Sequence, residues 1–311
     1  MGHRWITYAW ILISILWCVC SQVVGEDVSH VGSFAELLTS ARLLAMGNAG
    51  IGIPGGGCSV AANPAALAWN QGFALSSSYE NRLDTYDCVD ISATFGSAAF
   101  ALQVFDFGNI LETDVDGNVL GISTYQAGTA TVAVGLHGGA IARFGEWGLG
   151  ATAKLLTTQY STESGRGVGL NLGLGFLAAG DAGQFESTFL TGYSFAATVT
   201  DIPVTGIRWS GGDSEWSSPK LTVGATFELV DQLTFVLDSV VGDAVRVGAE
   251  WNPIPPFTLR AGLRYEGVPM WSFGAGVRLD TVFLDYALVS NPYLPWQHRI
   301  TLEWRWAALR P

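Results

Sequence analysis

Charge is what this chain has least of. Only 14% of its 311 residues are Asp, Glu, Lys or Arg, against roughly 25% in an average soluble domain. A water-facing exterior on a chain this long would run short of ionised groups. Basic residues are scarcer than acidic ones: 15 Lys+Arg stand against 27 Asp+Glu, a formal charge of -12. That balance argues against a nucleic-acid partner, which needs a cationic surface. Long apolar runs are missing after the first twenty-odd residues, so no later segment reads as a membrane helix of about 18 uncharged residues. What is abundant excludes other classes. Twelve Trp, sixteen Phe and nine Tyr supply too much apolar surface for a disordered chain. Thirty-nine glycines without a G-X-Y period exclude collagen and point to turns and strands.

The N-terminus reads as an export signal. Arg4 precedes an apolar run from Ile6 to Val19, followed by Ser21-Gln22-Val23-Val24-Gly25. Val23 and Gly25 are the small residues of a cleavage site, so residues 1–25 are expected to be removed. A single membrane anchor is the alternative, and the shortness of the run argues against it. Cys18 and Cys20 lack the leucine-small-small spacing of a lipoprotein site. The mature chain keeps Cys58 and Cys88, which an oxidising compartment would allow to pair. Sequence leaves that disulfide open.

The strongest signal is a period of two. Leu221, Val223, Ala225, Phe227 and Leu229 alternate with Lys220, Thr222, Gly224, Thr226 and Glu228. Six further segments to Trp306 alternate likewise, which is the strand period and not the helical one. Noisier strands are expected near 72–81, 86–96, 97–107, 125–137, 146–160, 165–178 and 184–198. Seven and seven make fourteen, an even number as a closed bacterial membrane barrel requires, although soft boundaries also fit twelve or sixteen. The longest connections, 108–124, 199–217 and 290–297, all fall at one end. A soluble β-sandwich would alternate too. Scarce charge, aromatics near the ends of apolar faces (Trp251, Phe257, Tyr265, Trp271, Trp304, Trp306) and the edge-free closure that hydrocarbon demands favour a closed antiparallel transmembrane β-barrel over 71–306, with a short tail at 307–311.

Ahead of the strands lies Ser40-Ala41-Arg42-Leu43-Leu44-Ala45-Met46-Gly47, and later Asn63-Pro64-Ala65-Ala66-Leu67. This pair resembles the N-terminal signature of FadL-type outer-membrane barrels, especially the PorV/PorQ-like branch, with Ala-Arg-x-x-x-Met-Gly followed by Asn-Pro-Ala-x-Leu. Gly148 to Lys154, Leu284 to Leu288 and His298-Arg299-Ile300 fit the same branch, so the resemblance spans nearly the whole mature chain. It implies about fourteen strands and a luminal hatch over 26–70, with Arg42, Met46, Gly47, Asn63, Pro64 and Ala65 as its motif. It implies one of two roles: a surface scaffold for type IX-like protein secretion, or a passive transporter of long-chain fatty acids and other hydrophobic compounds. Two departures stand out, the tail after Trp306 and Pro54-Gly55-Gly56-Gly57-Cys58 inside the hatch. Glycine allows close backbone approach and positive φ, and Pro64 restrains Asn63, which suits a packed hatch. An ordinary Gly-rich periplasmic loop is the plainer alternative.

Other motifs fail on context. Gly50-Ile51-Gly52-Ile53-Pro54-Gly55 spells a dinucleotide fingerprint but follows a helix-like stretch and contains proline. Asp114-Val115-Asp116-Gly117-Asn118 begins like a calcium loop, yet its glycine falls at position four and no glutamate closes it. His30, His137 and His298 lack metal-ligand spacing. No cofactor, metal or enzymatic activity is expected. On the polar faces, Arg246, Arg260, Arg264, Arg278, Arg299 and Arg305 accompany Glu250, Glu266, Asp285 and Glu303. They would form a cross-strand ion-pair ladder, or an arginine would meet a ligand carboxylate. Ile207, Trp209 and Trp216 in the 199–217 connection are expected as external anchors for a partner protein, or as the lining of a lipophilic entry. The expected partners are outer-membrane lipid and either secretion proteins or a hydrophobic small molecule.

Overall fold

The structure is a computed structural model, describing residues 39–56, 59–82, 86–141, 145–160, 166–181, 189–229, 232–293 and 295–306. The expected signal peptide, the start of the 26–70 segment, Cys58 and the tail 307–311 lie outside the described residues. Three short turns of helix come first: α1 (Ala41–Ala45), α2 (Ser59–Ala62) and the 3₁₀ turn η1 (Pro64–Trp69). Strands follow: β1 (Phe73–Arg82), β2 (Tyr86–Phe95), β3 (Ala98–Thr113), β4 (Val119–Ile141), β5 (Gly145–Tyr160), β6 (Arg166–Asp181), β7 (Leu190–Trp209) and a two-residue β8 (Ser214–Glu215). The C-terminal set is β9 (Lys220–Leu229), β10 (Leu233–Val240), β11 (Ala244–Ile254), β12 (Phe257–Glu266), β13 (Val268–Leu279), β14 (Val282–Val289) and β15 (Gln297–Trp306).

Every pairing is antiparallel, between neighbours in sequence except that β7 pairs past β8 with β9, and β1 pairs with β15, so the sheet closes on itself. Setting aside β8, a short addition to β7, the barrel has fourteen strands. Closure leaves no row of unpaired backbone groups, the condition a sheet must meet in hydrocarbon.

The structure differs from the alternation where bulges slip the period. β3 and β4 run through most of the connection expected over 108–124, with register shifts at Asp106/Asn109 and Glu112/Thr113. A bulge moves side chains to the opposite face, so a strand stops reading as one. What remains is the turn 114–118. There the Asp114 carboxylate accepts from the backbone N–H of Asp116 and Asn118 at 2.9 and 2.8 Å. The Asn118 side chain also donates to it, and with these backbone donors holds the carboxyl below its ordinary range. Its oxygens are committed to the turn. β7 likewise continues to Trp209, past three register shifts in its pairing with β6.

Faces sort as the period of two requires. On β15, Arg299, Thr301 and Glu303 are buried inward while Ile300, Leu302 and Trp304 are exposed. Tyr265 and Trp271 flank the β12–β13 turn and Trp251 and Phe257 the β11–β12 turn, at opposite ends of the wall, all four exposed. Near the end that carries the long connections, one outward row reads His298, Asn81, Asp87, Asp106, Gln126, Gln159 and Arg166 in continuous register from β15 to β6. Below this polar collar the exterior is apolar, as hydrocarbon requires. Leu302→Arg, two outward positions beneath the collar, is expected to lower the unfolding free energy in bilayers by about 2–4 kcal/mol. Gln126→Arg within the collar should cost only about 0–1 kcal/mol. Urea titrations of barrels refolded into vesicles measure both.

Candidate functional site

Residues 39–56 and 59–70 lie inside the barrel, held at two places. α1 packs on β12, β13, β14 and β15, and η1 packs on β4, β5 and β6. In both places the wall is made of glycine. Gly135, Gly150 and Gly175 stand opposite one another on β4, β5 and β6. A Cβ on Gly150 would lie 2.2 Å from the Pro64 carbonyl carbon, and one on Gly175 would lie 2.2 Å from Asn63 Oδ1. On the far side Gly248 opposes Gly262, and Cβ atoms there would strike Met46 and the Gly47 nitrogen. Glycine inside a strand marks a close approach of another backbone.

These contacts explain the two N-terminal motifs. Asn63 uses its whole amide. Its Nδ2 donates to Ile51 O at 2.9 Å and to the wall at Phe176 O at 3.1 Å, while Oδ1 accepts from Ala65 N at 3.0 Å and caps η1. Pro64 opens the turn with no N–H to satisfy. Gly47 adopts φ +70° against Leu263, and its N–H donates to Ser272 Oγ at 2.8 Å. Met46 is fully buried beside it. Buried Asp238, which sequence reasoning missed, accepts from the N–H groups of Gly50 and Ile51 at 2.6 and 3.1 Å. The glycines offered a signal that was not used: Gly148 and Gly150, Gly173 and Gly175, and Gly274 and Gly276 each recur at alternate positions on polar faces.

Arg42 ties the segment to the expected ladder. Its Nε and Nη2 donate to Glu250 Oε2 and Oε1, each at 2.8 Å. Arg260 donates to Glu250 at 2.7 Å and to Asp285 at 2.7 Å. Four of the expected residues therefore form one chain from the luminal segment across β11 and β12 to β14. The others stand apart. Arg264 pairs with Glu266 and Arg305 with Glu303, each within its own strand. Arg246 reaches Asn48 O at 3.4 Å, and Arg278 lies over the Phe283 ring at 5.2 Å. A second buried group joins Arg299 to Glu80 and Asp90. Cys88 is buried, with Gln103 Nε2 donating to its sulfur at 3.6 Å.

The external anchors need correction. Ile207 is 2% exposed and lies inside the lumen, clustered with Cys88, Phe105, Ala127 and Leu156. Tyr86, Phe107, Tyr125 and Trp209 pack on this cluster, partly buried. The extension of β7 carries Ile207 and Trp209 inward. Trp216 alone of the three is exposed, at 55%. An apolar cluster thus lines the β2–β7 side of the lumen towards its loop end, while Glu80 and Arg299 stand level with Cys88 on β1 and β15. A cleft of only about 10 Å³, room for about one water, lies within the luminal segment, bounded by Arg42, Leu43, Ile53, Ala62, Asn63 and Ala66.

This geometry has solved counterparts. The fold is FadL-like. The toluene transporter TbuX of Ralstonia pickettii superposes with a TM-score of 0.57 at 14% identity, over 86% of this chain and 98% of that one. The Pseudomonas putida toluene transporter TodX gives 0.53 at 12%, over 91% and 98%. A Pseudomonas aeruginosa FadL homologue gives 0.52 at 11%, over 85% and 97%. No protein-family model and no curated protein matches the chain.

Two outcomes test the seating. Gly150→Val is expected to leave the barrel intact but displace residues 63–68, raising single-channel conductance in planar bilayers above wild type. In a double-mutant cycle, Arg42→Met and Glu250→Gln should show a coupling energy of about 0.5–3 kcal/mol, read by urea unfolding in vesicles.

Proposed function

We propose that this chain is a passive conduit for small hydrophobic molecules across the bacterial outer membrane, with residues 26–70 as its hatch. One observation carries the reading: the apolar cluster around Phe105, Leu156 and Ile207 inside the lumen, where a water-filled porin channel would be polar. A molecule leaving water for that cluster gains roughly 25 cal/mol per Å² of apolar area buried. The hatch beneath the cluster blocks free passage of water and ions. An even number of antiparallel strands and an apolar exterior support an outer-membrane location, and in this reading the long connections face outside. The likeness to toluene transporters supports the same reading.

A PorV/PorQ-type scaffold for protein secretion is less well supported. It needs apolar anchors on the outside, and Ile207 and Trp209 point inward. We read the chain as non-catalytic.

Uptake by cells with an otherwise intact outer membrane tests the proposal, with labelled toluene and a long-chain fatty acid as cargo. Expression should raise uptake of at least one. Ile207→Asp, which sets a charge in the apolar cluster, should lower that uptake about tenfold, a discrimination within reach of a hydrophobic pocket. Phe105→Ala gives a milder second variant, and heat-modifiable migration on gels shows whether each barrel has folded. Uptake equal to the empty-vector control would overturn the conduit.

A further inference from the structure

We infer that the conduit prefers uncharged molecules that join an apolar body to a hydrogen-bond donor, such as phenols and alcohols, over hydrocarbons and carboxylates. The inference rests on the conduit reading and names the chemistry of its cargo. Directly beneath the apolar cluster, Thr131, Lys154 and Asn171 stand opposite one another on β4, β5 and β6. Lys154 Nζ donates to Asp201 Oδ1 at 3.1 Å, and Asn171 Nδ2 donates to Ser217 Oγ at 3.0 Å. All five side chains are more than nine-tenths buried. Leu156 of the apolar cluster is the next inward residue on β5 after Lys154, so the two groups touch.

The group is unfinished. Thr131 Oγ1, Asn171 Oδ1 and Asp201 Oδ2 are buried and find no hydrogen-bond partner among the described residues. Leaving such an atom unmade costs about 1–3 kcal/mol, and native structures leave few. Two of the three atoms can only accept, and the third is a hydroxyl that can do either. A ligand completing the group must therefore bring a donor. Charge decides the rest. The Lys154 ammonium is already matched by the Asp201 carboxylate. A second carboxylate would put two anions about one cation and point acceptors at acceptors. A hydrocarbon would leave all three atoms unmade. A hydroxyl donates to Asn171 or Asp201 and accepts from Lys154 or Thr131. Its apolar body then lies against Leu156 and Ile207, beneath the partly buried rings of Phe107, Tyr125 and Trp209.

Three molecules of one shape test this: toluene, p-cresol and p-toluate, alike except for no head group, a hydroxyl and a carboxylate. Equilibrium dialysis at pH 7 against the purified barrel, with a detergent-only control, gives each Kd. The expected result is p-cresol bound about tenfold more tightly than either of the others, the factor that about 1.4 kcal/mol supplies. Thr131→Val, nearly isosteric, and Asn171→Leu should bring p-cresol to within about twofold of toluene. Thr152→Val, one inward position further down β5, should leave the preference intact. Toluene or p-toluate bound as tightly as p-cresol would overturn the cargo chemistry and leave the conduit standing. Binding of none of the three would overturn the conduit itself. A preference that survives both Thr131→Val and Asn171→Leu, in barrels that keep heat-modifiable migration, would overturn the assignment to this group.

Discussion

A chain segment held inside a closed barrel has to bring its backbone into contact with a wall whose inward positions ordinarily carry side chains. In this protein the wall gives way. The rows Gly135, Gly150, Gly175 and Gly248, Gly262 remove the Cβ atoms that would stand where Asn63, Pro64, Met46 and Gly47 lie. Glycine weakens a strand, through lost packing and greater entropy in the unfolded chain. The barrel accepts that loss on these five strands because closure supplies ladder bonds on both sides of each. The seating sets much of the rest. Segment backbone lying flush with the wall can be satisfied by wall side chains, which is why Asp238, Ser272 and Thr301 point at its N–H groups. A segment with larger side chains against the same wall would force it open.

What holds the segment is directional as well as apolar. Between Thr39 and Asn70 its only charged residue is Arg42, bound on both carboxylate oxygens of Glu250. Its buried apolar side chains are of two sizes, Ala41, Ala45, Ala49, Ala65 and Ala66 beside Leu43, Leu44, Met46, Ile51, Val60 and Leu67. Burial energy grows with apolar area, so the six larger side chains supply most of the apolar hold. The alanines stand where the segment lies flush with the wall and no larger side chain would fit. The hydrogen bonds and the bidentate ion pair then fix which point of the segment meets which point of the wall.

Architecture was legible in the sequence, while the internal site was legible only in part. Alternation located all fourteen strands, because a lipid-facing wall with a polar lumen imposes the period of two on every one. It failed where bulges slip the face, at Asp106/Asn109 and along β6 and β7, and there strands were read as loops. The external-anchor alternative for Ile207 and Trp209 fails for that reason, while the alternative that they line an apolar entry agrees with their inward packing. The motif residues Arg42, Met46, Gly47, Asn63 and Pro64 were found by resemblance, and the structure supplies their physical role. Their partners were harder to see. Asp238 and Glu250 look alike in sequence as inward carboxylates on neighbouring strands, yet one binds backbone and the other binds Arg42. Such pairings depend on which wall position faces which point of an irregular segment, and no periodicity encodes that.

The lumen is ordered along the strands, and the order fits one direction of travel. Inward positions on β4 run from Ala127 in the apolar cluster, through Thr131 beside Lys154, to Gly135 at the seat of η1. Four residues of strand separate Thr131 from Gly135, about 13 Å. On the conduit reading, a hydrophobic molecule entering at the loop end would meet favourable burial first, then a neutral polar group, and only then the segment seated on Gly135. Were the polar group outermost, water would hold it solvated and the apolar cluster would lie beyond a desolvation step. Were it charged, crossing it would impose the cost of moving past an unpaired ion. Pairing Lys154 with Asp201, and Arg299 with Glu80 and Asp90, lowers that cost along the passage. The same pairing leaves the polar group able to sort cargo by hydrogen-bonding capacity rather than by charge.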